Sequence, residues 1–189
     1  MDIRSLLNYV VILFPVSEIA LSIVKKSDKN TLVKGDRGSL RLLWLTIIAS
    51  IGIAITLQWY PVMVMELSQT AINVTALCFF IAGMIVRWTA IISLGKYFTV
   101  DVSIQNEHKV VQHGMYKYVR HPSYTGLLIE FLGLAFYFGT WMSVIILMIP
   151  ISSVMMYRIR WEENLLRKSF GEQYEKYKSH TKMLIPGIL

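Results

Sequence analysis

Apolar residues gather in blocks that are long enough to be membrane-spanning helices. Crossing a bilayer core of about 30 Å takes roughly 20 helical residues, and three blocks reach that length: Ile3–Val24, Leu40–Tyr60 and Ala71–Leu94. A fourth apolar stretch, Ser123–Tyr157, predicts a hairpin of two shortened spans that turns near Gly139. Continuous apolar runs lack the alternation of a lipid-facing barrel strand. The sequence therefore predicts an all-α integral membrane protein with about five transmembrane helices.

Polar segments separate these blocks and predict the orientation of the chain. If there are five spans, all but Arg4 and Arg87 of the 19 Lys and Arg residues fall on one side. The positive-inside rule then places the N-terminus outside and the C-terminus in the cytoplasm. Two polar segments, Gly95–Pro122 and Arg158–Leu189, should meet at the cytoplasmic face. We expect residues 1–94 to form three transmembrane helices, and residues 95–189 to form a region with a polar loop, a helical hairpin and a tail helix.

Composition agrees with a membrane protein and limits the possible partners. The hydrophobic share of 54% exceeds the roughly 45–50% of soluble domains. The net charge of +7 could suggest nucleic acid, but the charges flank the spans, so we expect lipid surroundings and no nucleic-acid partner. The single cysteine, Cys78, lies in a span and cannot form an internal disulfide or a thiolate zinc site. Because no basic n-region or small-x-small cleavage pattern is present, the first span is expected to be retained. The sequence carries no signal for an oligomeric state.

The sequence also lacks the common local motifs for nucleotide, zinc-protease or serine-hydrolase chemistry. Its histidines do not form a cluster with carboxylates at helical spacing, so we predict no metal site; they are His108, His113, His121 and His180.

A polar motif precedes the hairpin and reads Arg120-His121-Pro122-x-Tyr124-x-Gly126. A proline suits the first turn of a helix, so Pro122 predicts the start of the fourth span. The motif has a structural alternative, in which Arg120 and His121 anchor the interface and Gly126 permits close helix packing.

A second charged motif, Arg158-Ile159-Arg160-Trp161-Glu162-Glu163, follows the hairpin. Its structural alternative is an arginine belt with i, i+4 pairs between Arg158 and Glu162 and between Glu163 and Arg167. Further along, Phe170, Tyr174 and Tyr177 predict one stripe of a tail helix.

Taken together, the two motifs predict a cleft at one membrane face. Arginine pairs with carboxylates and glutamate can offset a cation, so this cleft suits a zwitterion; its residues are Arg120, His121, Tyr124, Arg158 and Glu162.

Three ionisable residues lie deep in the predicted spans: Glu18, Arg87 and Glu130. Charges inside a bilayer are costly and are usually paired or face a cavity. We expect Arg87 to pair with Glu18 or Glu130, or to line the cavity beneath the polar loop. The alternative is that Arg87 extends alone to the interface.

The order of the motifs resembles the isoprenylcysteine carboxyl methyltransferase family, which is grouped with membrane phospholipid methyltransferases. The shared features are Arg-His-Pro-x-Tyr-x-Gly, a two-span hairpin, Glu-Glu, Phe-Gly-x-x-Tyr-x-x-Tyr from Phe170, and Ile185-Pro186. The resemblance covers about Gly95–Leu189. The N-terminal half is short compared with eukaryotic members.

The resemblance implies transfer of a methyl group from S-adenosylmethionine to the carboxylate of a C-terminal prenylated cysteine or a similar isoprenoid lipid. Arg158 would hold the acceptor carboxylate, and with Glu162 it would form the catalytic pair. We expect donor contacts from Gln105, His108, Lys109, Val110, Val111, Tyr116, Arg120, His121, Pro122, Ser123, Tyr124 and Glu162. A terminal carboxyl titrates near 3.3–3.7, so it is already an anion at neutral pH and needs no general base. The alternatives are methylation of a lipid amine or a small thiol, and a non-enzymatic membrane scaffold.

Overall fold

The computed structural model describes residues 2–25, 31–34, 37–60, 63–105 and 108–187. Nearly all regular structure in these residues is helical. The six α-helices are α1 (Ile3–Val24), α2 (Arg37–Leu57), α3 (Gln69–Leu94), α4 (Pro122–Tyr137), α5 (Trp141–Phe170) and α6 (Glu172–His180). Two short 3₁₀ turns cover Gly95–Tyr97 and Gly114–Lys117, and two short strands are β1 (Thr31–Lys34) and β2 (Ser103–Gln105).

The three N-terminal spans predicted from the hydrophobic pattern are confirmed as helices. Asp2 caps α1 by accepting a hydrogen bond from the Ser5 backbone N–H at 2.9 Å, and Ser68 caps α3 in the same way. Four helices in the described residues are long and apolar enough to cross a membrane: α1, the Gly38–Leu57 part of α2, α3 with its following turn, and α5. This agrees with the predicted class, an all-α integral membrane protein.

The predicted hairpin is also present, with its turn at Gly139. That glycine has a φ of +71°, which suits a residue without a Cβ. α4 has 16 residues and is therefore only about 24 Å long, as its shortened sequence indicates. α5 continues through Pro150 and beyond the predicted membrane edge to Phe170.

α3 and α4 run antiparallel in very close contact because glycines face the neighbouring helix. A Cβ on Gly126 would lie 2.6 Å from the backbone nitrogen of Arg87, and one on Gly83 would lie 2.6 Å from Cγ of Glu130. Small residues allow this approach in membrane helices. The close packing expected for Gly126 is therefore present, and it fixes the start of α4 beside Arg87.

The prediction of a single aromatic stripe on one tail helix is wrong. Gly171, with a φ of +50°, ends α5 and precedes α6, so Phe170 lies on one helix while Tyr174 and Tyr177 lie on the next. The periodicity of three aromatic residues did not reveal the glycine break. The bend turns the two tyrosines inward, and both are buried.

The polar segments meet at one end of the helix bundle, called here the polar end. β1 pairs antiparallel with β2, and the backbone N–H of Val100 donates to the carbonyl of Lys25 at 2.9 Å. Of the predicted loop between the first two spans, residues 26–30 and 35–36 lie outside the described residues. At the opposite end, called the far end, the backbone N–H of Trp141 donates to the carbonyl of Met63 at 2.9 Å. Between the two ends, the rings of Phe14, Phe80 and Phe131 pack together.

Candidate active site

A cavity of about 480 Å³ begins among the polar residues and continues between α1, α2 and α4. This volume is within the usual range for small-molecule sites, about 300–1,000 Å³. Residues from both the 1–94 and the 95–189 regions line it, including Glu18, Leu43, Tyr124 and Arg158. The cavity therefore has a charged end and an apolar arm.

Three side chains form the centre of the charged end. Arg158 and Glu162 are one turn apart on α5, and the Tyr124 hydroxyl at the start of α4 lies between them. This hydroxyl accepts a hydrogen bond from Nε of Arg158 at 2.9 Å and donates one to Oε2 of Glu162 at 2.8 Å. The two motifs that the sequence places far apart are thus joined by one hydroxyl group.

The guanidinium of Arg158 is buried, with only 2% of the residue exposed. Its Nη1 donates to Oγ of Ser39 at 3.1 Å, and its Nη2 donates to the backbone carbonyl of Val100. Asp101 and Glu162 are acidic neighbours that act on it electrostatically. A buried cation needs such partners, because removing it from water costs several kcal/mol. The Tyr124 hydroxyl, the Ser39 hydroxyl and the Val100 carbonyl are neutral acceptors, so an incoming anion would compete with them for this cation.

His121 packs beside the acidic pair on α5 and is buried. Its Nδ1 lies 3.8 Å from Oε1 of Glu162, and its Nε2 lies 3.4 Å from Oε1 of Glu163. The backbone N–H of His121 donates to the carbonyl of Met183 at 3.0 Å. The tail after α6 therefore runs beside the segment that leads into α4.

Arg120 connects that tail to α5. Its Nε donates to Oε1 of Glu163 at 2.7 Å, and its Nη1 donates to the backbone carbonyl of Thr181. Lys178 donates to the other oxygen of Glu163 at 2.9 Å. Glu163 is thus shared between Arg120 and Lys178, whereas Arg167, its expected i, i+4 partner, lies 2.5 Å from Glu175. The Arg120–Glu163 pair closes the tail over the charged end of the cavity.

Aromatic residues form one wall of the charged end. The His108 ring stacks on Tyr97 with centroids 4.8 Å apart and meets the edge of Phe170 at 5.6 Å. Burial lowers the pKa of His108, and this effect exceeds the opposing influence of Glu162. The imidazole is therefore neutral at physiological pH and offers an uncharged stacking surface.

Three buried tyrosines surround the same end. The Tyr177 hydroxyl donates to the backbone carbonyl of Tyr116 at 2.8 Å. The Tyr174 hydroxyl is buried and, among the described residues, has no hydrogen-bond partner. Burial raises the pKa of Tyr116, Tyr174 and Tyr177. These hydroxyls therefore remain protonated, and Tyr174 is a donor available to a ligand.

The expected intramembrane ion pair is confirmed between Arg87 and Glu18. Nε of Arg87 donates to Oε1 of Glu18 at 2.5 Å, and its Nη2 donates to Oε2. Its Nη1 donates to the backbone carbonyl of Ser123 at 3.0 Å. One guanidinium therefore joins α1, α3 and the first turn of α4 beneath the charged end.

The remaining predicted donor-site residues are placed as follows. Ten of them line the cavity: His108, Lys109, Val110, Val111, Tyr116, Arg120, His121, Ser123, Tyr124 and Glu162. Pro122 is the first residue of α4 and supports the turn rather than lining the cavity. The backbone of Gln105 belongs to β2, while its side chain lies outside the described part of the chain.

Several residues at this site were not predicted from the sequence. Ser39, Tyr97, Val100 and Asp101 come from segments without a recognisable motif, and the sequence predicts Tyr174 only as part of the stripe on the tail helix. The only feature in the sequence that could have identified these residues is their position near the polar end of the helix bundle. Many other residues share that position. Contacts between distant segments decide which of them reach the cavity.

The apolar arm extends from Tyr124 toward the far end of the bundle. α4 lines it with Leu127, Phe131 and Leu134, and α1 contributes Val11 and Phe14. α2 lines the other side with Ile47, Ile51 and Ile55. At the far end the lining residues are Gln58, Tyr137 and Phe138. This arm suits a hydrocarbon chain attached to a polar group held at Arg158.

Comparison with known proteins gives a consistent result. Residues 75–168 match the model of the isoprenylcysteine carboxyl methyltransferase family. The chain is 37% identical over 110 residues to protein-S-isoprenylcysteine O-methyltransferase B of Arabidopsis thaliana, covering 57% of this chain and 56% of that protein. It is 29% identical over 119 residues to a probable protein-S-isoprenylcysteine O-methyltransferase of Oryza sativa subsp. indica, covering 62% of each. The chain thus aligns with less than two thirds of the length of these relatives.

A solved structure also has this fold. The eukaryotic intramembrane Ras methyltransferase, an isoprenylcysteine carboxyl methyltransferase, superposes with a TM-score of 0.66 and 24% identity. The match covers 95% of this chain and 64% of that one. At this identity the similarity shows a common membrane architecture.

Proposed function

We propose that the chain is a member of the isoprenylcysteine carboxyl methyltransferase family, whose model residues 75–168 match, and that it methylates the carboxylate of a C-terminal prenylated cysteine or a similar isoprenoid carboxylate. The methyl donor is S-adenosylmethionine, which supplies an electrophilic methyl group on a sulfonium centre. The observation that carries this proposal is the Arg158–Tyr124–Glu162 group at the junction of a charged end and an apolar arm. This junction combines Arg158, a cation for a carboxylate, with Glu162, an anion for a sulfonium. The apolar arm beside them is a groove for a lipid.

The residues at the charged end fit the donor. A purine ring favours flat aromatic partners, and the His108–Tyr97 stack offers a neutral one. The Glu162 carboxylate offsets a positive centre. The Tyr174 hydroxyl, which has no hydrogen-bond partner among the described residues, can donate to an anionic or carbonyl oxygen. The donor site therefore comprises Tyr97, Tyr174 and the expected residues that line the cavity, namely His108–Val111, Tyr116, Arg120, His121, Ser123, Tyr124 and Glu162. Gln105 and Pro122, also expected from the sequence, stay predictions.

The acceptor carboxylate binds Arg158. Its neutral partners, the Ser39 hydroxyl and the Val100 carbonyl, are weaker acceptors than a carboxylate, because charge-assisted hydrogen bonds are roughly twice as strong. The isoprenoid chain extends from there into the apolar arm. The carboxylate is already deprotonated, so the residues of this site act by orientation and exclusion of water, for which fixed geometry is worth up to about 7–11 kcal/mol.

The polar end faces the cytoplasm in this proposal, as the distribution of Lys and Arg indicates. The donor then reaches the charged end from water, while the acceptor reaches the apolar arm from the lipid. The catalytic region 95–189 supplies most of the charged end, and the helices of region 1–94 supply much of the apolar arm.

Donor binding is tested by calorimetry with S-adenosylmethionine and S-adenosylhomocysteine on the detergent-solubilised protein. We expect Glu162→Ala to weaken the binding of S-adenosylmethionine at least tenfold and that of S-adenosylhomocysteine less, because only the donor carries the sulfonium charge that this carboxylate offsets. Glu172→Ala, an exposed glutamate near the same end, is the matched control and should bind normally. Absence of binding to the unmodified protein would favour a non-enzymatic scaffold.

Acceptor identity is tested with radiolabelled S-adenosylmethionine and two farnesylcysteine derivatives. The derivative with a free carboxylate should become labelled, whereas the amidated derivative should not. Equal labelling of both would show that the methyl group goes to another atom, such as an amine or a thiol.

A further inference from the structure

The apolar arm of the cavity has a defined end. Its deepest lining residues are Gln58 at the end of α2 and Tyr137 and Phe138 at the end of α4. Tyr137 and Phe138 are in ring contact, with centroids 5.7 Å apart. These side chains are the lining residues furthest from the charged end and are called here the wall.

A hydrogen bond joins this wall to α1. The Tyr137 hydroxyl donates to Oδ1 of Asn8 at 3.0 Å. On α1, the residues that line the cavity begin at Val11, and Asn8 lies about one turn further toward the far end. The Asn8–Tyr137 bond therefore crosses from α1 to α4 where the apolar arm stops.

The structure also sets the distance from the reacting group to this wall. Tyr124 contacts Arg158 at the charged end, and Tyr137 lies on the same helix at the far end. The rise of 1.5 Å per residue separates them by about 20 Å along the axis of α4. Because one rigid helix carries both residues, this distance does not adjust to the ligand.

We propose that the Asn8–Tyr137 pair is a depth stop that sets the longest isoprenoid chain this protein accepts. The proposal rests on the proposed function, since it concerns the tail of an acceptor whose carboxylate is bound at Arg158. A chain that fits within the arm lies against its apolar lining residues along its whole length. A longer one must bend or displace the pair, so its tail gains less from burial.

The experiment compares kcat/KM for the cysteine derivatives of geranyl, farnesyl and geranylgeranyl in one detergent. Tyr137→Ala removes the wall and should raise the geranylgeranyl-to-farnesyl ratio about tenfold, the effect of burying roughly two more methylene groups. Asn8→Ala keeps the tyrosine ring but removes its link to α1, so the ratio should rise by about threefold.

A second variant, with the opposite expected effect on the ratios, keeps the test decisive if Tyr137→Ala folds poorly. Leu134 lines the arm one turn before the wall, so Leu134→Trp should shorten the arm. We expect it to lower the geranylgeranyl-to-farnesyl ratio and to raise the geranyl-to-farnesyl ratio. Tyr9→Ala is the matched control, because Tyr9 adjoins Asn8 and is likewise exposed but is not bonded to Tyr137, and it should leave both ratios unchanged.

The outcomes separate this proposal from the one it rests on. If the unmodified protein methylates farnesylcysteine but none of the three variants changes the ratios, the depth stop is wrong and the proposed function stands. If the unmodified protein methylates no prenylcysteine, the proposed function is wrong and the depth stop falls with it. Equal shifts in the Tyr9→Ala control would also overturn the depth stop.

Discussion

Replacing Tyr124 by phenylalanine tests whether one hydroxyl couples the donor and acceptor sites. The substitution removes only an oxygen atom, which accepts a bond from Arg158 and donates one to Glu162. The ring remains in place beside His121, with centroids 5.8 Å apart. Both charged partners therefore lose the same bridge without a change in helix packing.

The expected losses differ because the two partners differ in burial. Hydrogen bonds to charged groups contribute about 1.5–3 kcal/mol. Arg158 is 2% exposed, so we expect about 1.5–2 kcal/mol, at least a tenfold loss in acceptor kcat/KM. The Glu162 side chain is 29% exposed, and water replaces part of its lost bond. We expect about 0.5–1 kcal/mol there, a two- to fivefold weaker binding of S-adenosylhomocysteine.

The assay combines steady-state kinetics at saturating donor with calorimetry for S-adenosylhomocysteine. Tyr157→Phe is the control, because Tyr157 adjoins Arg158 on α5 but is 46% exposed; both readouts should be unchanged. A Tyr124→Phe variant that weakens donor binding while acceptor kinetics stay the same would refute the assignment of Arg158 to the acceptor. No change in either quantity would refute the bridge itself.

Three further predictions concern buried ionisable groups. Arg158→Lys removes the forked geometry that matches a carboxylate and should raise the acceptor KM at least tenfold with donor affinity unchanged; the reverse pattern would contradict our division of roles. Glu18→Leu leaves Arg87 unpaired and should destabilise the protein by about 3–5 kcal/mol in thermal unfolding. The double variant Glu18→Leu/Arg87→Met should recover much of that loss, and equal stability of both variants would argue against a coupled pair. The pKa of His108 is lowered in the folded protein, so its contribution to stability should be complete above about pH 6.5. It should be lost as the pH falls through the lowered pKa, and a melting temperature that falls just as steeply below pH 6.5 in His108→Phe as in the unmodified protein would contradict this.

The membrane class and most helices follow from the sequence because they depend on local properties. Blocks of apolar residues such as Ala71–Leu94 must become helices in lipid, since every backbone polar group needs an internal partner. Gly139 and Pro122 mark the turn and the start of the hairpin through their own backbone preferences. The same local preference at Gly171 interrupts the tail, but the aromatic periodicity around it pointed to an unbroken helix.

The choice of partners for each charged residue was decided only by the tertiary structure. The sequence indicated that Arg87 needs a counter-ion, yet Glu18 and Glu130 were equally possible until α1 and α3 were placed side by side. In the same way, Arg158 and Glu162 could be recognised as a motif, but their bridge through Tyr124 and the contact with Ser39 could not. Hydrophobicity and backbone preference act over a few neighbouring residues, whereas a buried charge takes its partners from whichever segments the packing of the helices brings within about 3 Å.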